Sequence, residues 1–185
     1  HAIGLYTAQL ALGNVDATGI MCNPDQTLID AAIRQVVDTA GYDGGLIIAT
    51  DHSFHEGIPQ ENVLYFLEKA KKLGVTLAVE NMASTKESEH DHLYGCRAVE
   101  IVAIAKKLGI KTCWDTGHAH TAGLAQSHEI ELLGSTLALV HLHDNDGSDA
   151  HLVPLTGQID WADVIKGLRA VGYEGVLDFE TTLKV

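Results

Sequence analysis

Cys113-Trp114-Asp115-Thr116-Gly117-His118 ends a short apolar run, 110–114, and delivers an acid and an imidazole together into a turn. Three further runs end the same way: Val75-Thr76-Leu77-Ala78-Val79 at Glu80-Asn81, Leu137-Ala138-Leu139-Val140 at His141, and Val176-Leu177-Asp178-Phe179 at Glu180. Each has the length and apolar character of a buried strand, and each stops at a side chain able to bind a metal. In a parallel β/α barrel the carboxyl ends of all strands meet on one face. Glu80, Asp115, His141 and Glu180 are therefore expected to converge there although they are far apart in sequence.

The segments between these runs read as helices, expected at 24–40, 60–73, 89–108, 126–133 and 161–171. Ala70-Lys71-Lys72-Leu73-Gly74 leads into the strand that stops at Glu80, and Ala105-Lys106-Lys107-Leu108-Gly109 into the one that stops at Asp115. The two units repeat at one interval, 70 to 105 and 80 to 115. In each, cations sit at the helix carboxyl end and Gly accepts the left-handed cap. Asp160 is expected to cap the last helix, whose Val164, Ile165 and Leu168 form an apolar stripe. Strand and helix alternate throughout, the mark of βα units.

Strands are expected at 46–49, 75–79, 110–114, 137–140 and 176–179, with a further one near 2–10. A closed (β/α)8 TIM barrel needs eight strands and usually about 250 residues. The 185 residues beginning at His1 are thus expected to hold about six of eight units in a single domain, 1–185, truncated at its amino end. The open strand edge of such a piece favours self-association, so a homo-oligomer is expected.

Composition narrows the function. A formal net charge of −13 with only 12 Lys and Arg leaves little to exchange for the counterions of a phosphate backbone, so no nucleic-acid partner is expected. Cys22, Cys96 and Cys113 are too few and too scattered for a disulfide framework or a zinc ribbon, which points to a cytoplasmic protein. No apolar run approaches the length of a membrane span, and no membrane partner is expected.

Three carboxylates and one imidazole form a hard oxygen and nitrogen shell suited to Mn²⁺, Co²⁺, Mg²⁺ or Zn²⁺. A lone acid at a strand end is more often a cap or a surface ion pair. Four such ends together reverse that reading. His118, Asp149 and His151, with His52 behind them, form a second polar set that could grip a polyol or hold a second ion; a loop of solvated histidines is the plainer reading, nearly even for His52. His90, His92, His120 and His128 read as surface residues, and His55 and His143 are not assigned.

Ala78-Val79-Glu80-Asn81, Asp115-Thr116-Gly117-His118-Ala119-His120, His141-Leu142-His143-Asp144-Asn145-Asp146-Gly147, Asp149-Ala150-His151-Leu152 and Gly157-Gln158-Ile159-Asp160-Trp161 together resemble the xylose-isomerase-like sugar phosphate isomerase/epimerase family, over about 46–180. The resemblance implies a TIM barrel holding one divalent ion on Glu80, Asp115, His141 and Glu180, with Glu80 and Glu180 also moving substrate protons and His118 touching substrate. It implies an enzyme that isomerises or epimerises a small keto or aldo sugar, free or phosphorylated. A metal that polarises the carbonyl and hydroxyl of an α-hydroxy ketone acidifies the C–H between them. Two flanking carboxylates can then remove and return the proton through an enediolate. The related metal-dependent apurinic-site endonucleases are the sharpest rival, since Glu80, Asp115, His118, His141, Asp149, His151 and Glu180 also match their larger, two- or three-ion set, with His52 and His1 as candidates for the rest. Against them stand the acidic charge and Met82-Ala83-Ser84 in place of the glycine-rich turn of the nucleases; Val153-Pro154-Leu155-Thr156-Gly157 departs from a Gly-Glu-Gly type segment common to both branches, in the loop beside His151. A catalytically silent barrel that keeps the ligands is the third reading.

Overall fold

The computed structural model describes residues 11–40, 46–50, 54–84 and 94–181. The expected strand near 2–10, His52, and 89–93 of the expected helix 89–108 lie outside them. The chain divides into two compact units, His1–Thr76 and Leu77–Val185.

The first unit contains β1 (Ala11–Val15), α1 (Thr27–Ala40), β2 (Leu46–Thr50) and α2 (Gln60–Lys72). β1 and β2 pair in parallel, Ala11 opposite Leu46 through Val15 opposite Thr50, with α1 as their crossover. Ile29 and Ile33 of α1 and Phe66 of α2 share a core with Val15, Met21 and Ile48. Asn62 is buried there, its amide donating to the carbonyls of Met21 (2.8 Å) and Asn23 (2.7 Å) and accepting from Gln26 Nε2 (3.1 Å). These bonds satisfy the polar groups of the β1–α1 turn that water cannot reach.

The second unit contains β3 (Ala78–Glu80), α3 (Ala98–Leu108), β4 (Lys111–Asp115), α4 (Thr116–Thr121), α5 (Gln126–Leu133), β5 (Leu137–His141), α6 (Trp161–Ala170) and β6 (Val176–Asp178). Its four strands form one parallel sheet in the order β3-β4-β5-β6. Register decides which side chains share a face: Glu80 lies opposite Cys113, Asp115 opposite His141, and His141 opposite Asp178. Because strand side chains alternate, Glu80, Asp115 and His141 project from one face and Trp114 from the other. Trp114 is fully buried in a core with Ile101, Ile130, Leu133, Val140 and Val164. Its indole Nε1 donates to Gln126 Oε1 (2.9 Å), while Gln126 Nε2 donates to the carbonyl of Thr116 (2.8 Å). α5 is thereby pinned behind the strand that carries Asp115.

The helices follow their caps. Asp160 accepts from the backbone N–H of Ala162 (3.0 Å) and Asp163 (3.1 Å) and starts α6, as its position predicts. Gly109 ends α3 in the left-handed conformation (φ 61°, ψ 45°) after Lys106-Lys107. β3 is shorter than the expected 75–79, α1 starts at Thr27 instead of 24, and two further features depart from expectation. α3 begins at Ala98, because Gly95 turns at φ 100° and Glu100 Oε2 reaches back to accept from the N–H of Gly95 (2.9 Å) and Arg97 (3.2 Å). The turn after Asp115 is also a helix, α4, started by Asp115 Oδ1 accepting from His118 N (2.7 Å).

Candidate metal centre

The end of β3 contributes Glu80, the end of β4 Asp115 and the end of β5 His141, while Glu180 follows β6 by two residues. Each offers a donor atom within 4.8 Å of the other three. His141 Nδ1 is the hub, 3.1 Å from Glu80 Oε1, 3.2 Å from Glu180 Oε2 and 3.9 Å from Asp115 Oδ2. Two donors about 2.1 Å from a common ion are at most about 4.2 Å apart, so shifts of a few tenths of an ångström bring all four into coordination range. The charges agree. Burial opposes a positive His141, yet the neighbouring Cys113, Glu180 and Glu80 side chains outweigh it and drive its pKa far above the ordinary imidazole range. His141 Nε2 and His143 Nδ1 are buried without hydrogen-bond partners, and Glu180 Oε2, also buried, faces the His141 ring at 3.2 Å. A pocket that demands a proton in the midst of three carboxylates, and leaves buried polar atoms unpaired, has the chemistry of a cation site.

Asp115 is held rigidly. Asn81, fully buried and just past the end of β3, clamps its backbone: Oδ1 accepts from Asp115 N (2.7 Å) and Nδ2 donates to Asp115 O (3.0 Å). Burial works to raise the Asp115 pKa, but His143, hydrogen-bonded to it, and nearby His118 hold the carboxyl below its usual range. Burial similarly pushes the Cys113 thiol, on the same face one pleat below, up to about 12, and its Sγ lies within 4.8 Å of donors on Glu80 and His141.

The second set converges as well, and it includes a residue that sequence reading did not assign. His118, His143, Asp149 and His151 offer donors within 4.8 Å of one another. The loop after β5 folds back through an antiparallel bridge between Asp144 and Leu152, which returns Asp149 and His151 to the strand ends. His151 adopts a left-handed φ of 47°, a conformation a non-glycine residue holds only at a cost. His118 Nδ1 meets the Asn81 carbonyl (2.8 Å) and His151 Nδ1 the Glu180 carbonyl (2.8 Å). Carbonyls only accept, so both Nδ1 atoms carry a proton, and the two Nε2 atoms face Asp149 at 3.7 Å and 3.5 Å. His120, expected on the surface, is half-buried with Nδ1 against Asn145 Oδ1 (2.5 Å), while His128 is exposed as expected. The signal for His143 was its alternation with His141. β5 keeps hydrogen-bonding past its end, Leu142 N to the Asp178 carbonyl at 2.7 Å, so 143 shares the face of 141.

Residues 58–184 match the family described as xylose isomerase-like TIM barrel. The chain belongs to that family. A protein of Methanocaldococcus jannaschii is 30% identical over 120 residues, 62% of this chain and 39% of the relative, so the match spans well under half of that protein's length. Among solved structures, a D-allulose 3-epimerase from Methylomonas sp. in complex with D-allulose has a TM-score of 0.67 at 17% identity, over 94% of this chain and 64% of the other. An AP endonuclease, family 2, from Brucella melitensis has a TM-score of 0.64 at 17% identity, over 93% and 67%. At these identities the likeness establishes the fold, an α/β TIM barrel with parallel strands.

Proposed function

We propose that this xylose isomerase-like chain is a divalent-metal-dependent isomerase or epimerase of a small keto or aldo sugar. The observation that carries the reading is the division of exposure within the four-donor set. Asp115 and His141 side chains are 0% and 10% exposed, whereas Glu80 and Glu180 are 34% and 37% exposed. The buried pair has the makings of fixed ligands, and the open pair can reach both an ion and a substrate proton.

A divalent ion bound by Glu80, Asp115, His141 and Glu180 would supply Lewis acidity, lowering the pKa of the C–H beside a sugar carbonyl. Glu80 and Glu180 then remove and return that proton. His118, its Nδ1–H fixed on the Asn81 carbonyl, presents Nε2 as an acceptor for a sugar hydroxyl. The neighbour with bound D-allulose supports a sugar-sized substrate. Incubating candidate sugars in D₂O tests the reading: deuterium enters the carbon next to the carbonyl for the true substrate, and Glu80→Gln and Glu180→Gln each lower exchange at least 100-fold. Absence of exchange with every sugar contradicts it.

A second reading rests on His118, Asp149 and His151, whose two available Nε2 atoms and one carboxylate could hold a further ion, as a phosphodiesterase of the AP endonuclease kind would use. Cleavage of an abasic duplex, lost in Asp149→Ala, would establish that reading. The net charge of −13 weighs against a nucleic-acid substrate.

A further inference from the structure

His143 lies between the two donor sets with its side chain fully buried. Its Nε2 is 3.0 Å from Asp115 Oδ1 and 3.1 Å from Oδ2, against 3.8 Å from Asp149 Oδ1. A carboxylate only accepts, so Nε2 carries a proton and cannot serve as a metal ligand. The ring is held by its Nε2 bond and by its neighbours, while its Nδ1 is buried without a hydrogen-bond partner. It stacks on His151 with centroids 4.0 Å apart and planes at 7°, and meets the His118 ring edge-on at 5.8 Å. Gly117 leaves it room, since a Cβ there would lie 1.9 Å from its Cε1. The same Asp115 Oδ1 also accepts from His118 N at 2.7 Å. His118 N thus occupies Oδ1 while His143 Nε2 straddles both oxygens, and Oδ2 is the one that faces the hub of the four-donor set, 3.9 Å from His141 Nδ1.

We infer that His143 is a positioning residue that, by donating from Nε2 across the two Asp115 carboxylate oxygens and wedging against Gly117 and His151, holds that carboxylate with Oδ2 turned to the ion. The inference rests on the metal site proposed above. It assigns to His143 a geometric task and no direct part in the chemistry. Hydrogen bonds of this kind to a ligating carboxylate typically contribute 10- to 100-fold in metal affinity.

Co²⁺ titration of the full chain, followed by its visible spectrum and by dialysis, tests this without reference to activity. His143→Leu removes the donor; His143→Gln keeps an N–H at a similar reach. The expected result is a 10- to 100-fold weaker Co²⁺ affinity in His143→Leu with an altered d–d band, and recovery to within about threefold of wild type in His143→Gln. Affinity and spectrum unchanged in His143→Leu overturn the inference and leave the proposed function standing. Equal loss in both variants also overturns it, because filling the cavity would then matter and donation would not. A wild-type chain that takes up no Co²⁺ overturns the function reading itself, and this inference with it.

Discussion

Asp115 and Asn81 show how much of the site depends on single side chains. Asn81 supplies both partners that the buried backbone of Asp115 requires, so Asn81→Ala leaves one donor and one acceptor dry. An unsatisfied buried group costs about 1–3 kcal/mol, and the expected loss is about 2–4 kcal/mol in denaturant unfolding. Asn81→Asp is expected to be no better, since a carboxylate cannot donate to the Asp115 carbonyl. At this scale the sequence told part of the story. Glu80, Asp115, His141 and Glu180 were legible because each closes an apolar run, a local signal. The clamp by Asn81 and the wedge by His143 were not, because both act across strands, through register that no single run encodes.

The loop between β5 and α6 is organised by one carboxylate. Asp144, fully buried, accepts from the backbone N–H of Asn145 (2.9 Å), Leu155 (3.0 Å) and Ile159 (3.0 Å) and from Trp161 Nε1 (2.8 Å). Burial works to raise its pKa, but Trp161 and the backbone donors of Ile159, Gly157 and Asn145 prevail and hold it below the usual value of 3.8. Folding therefore favours the ionised form. The stabilisation is complete above the ordinary carboxylate range and disappears as pH falls through the lowered folded-state value. Asp144→Asn should destabilise by about 1.5–3 kcal/mol at pH 7, and in urea melts its deficit against wild type should shrink below about pH 4. Gly167 makes a different demand on α6: a Cβ there would sit 2.8 Å from the Ser127 Cα and 3.1 Å from Ile130 Cβ of α5. Gly167→Ala is expected to cost about 1–3 kcal/mol by forcing the two helices apart. Helix termini set by residues within one turn, such as Asp160 and Gly109, were readable in advance. α4 was not, because Thr116-Gly117-His118-Ala119-His120 has the composition of a loop and becomes helical only under the Asp115 cap and the packing around it.

For the molecule as a whole, strand register is what gathers the candidate site. Parallel strands in register carry same-parity residues to one face, and β3, β4, β5 and β6 in that order bring together groups spread from Glu80 to Glu180. The alternation of strand and helix and the Lys-Lys-Leu-Gly repeat were enough to read the fold class, because a βα unit is a local pattern repeated. The fold alone does not choose between a sugar and a nucleic acid, since relatives of both kinds share it. What the account requires first is the ion. Elemental analysis and dialysis against Mn²⁺ should find one tightly held divalent ion per chain in the wild type, absent in Asp115→Ala and in His141→Ala while both variants keep the wild-type circular dichroism. Metal content unchanged by both substitutions would contradict the account at its centre.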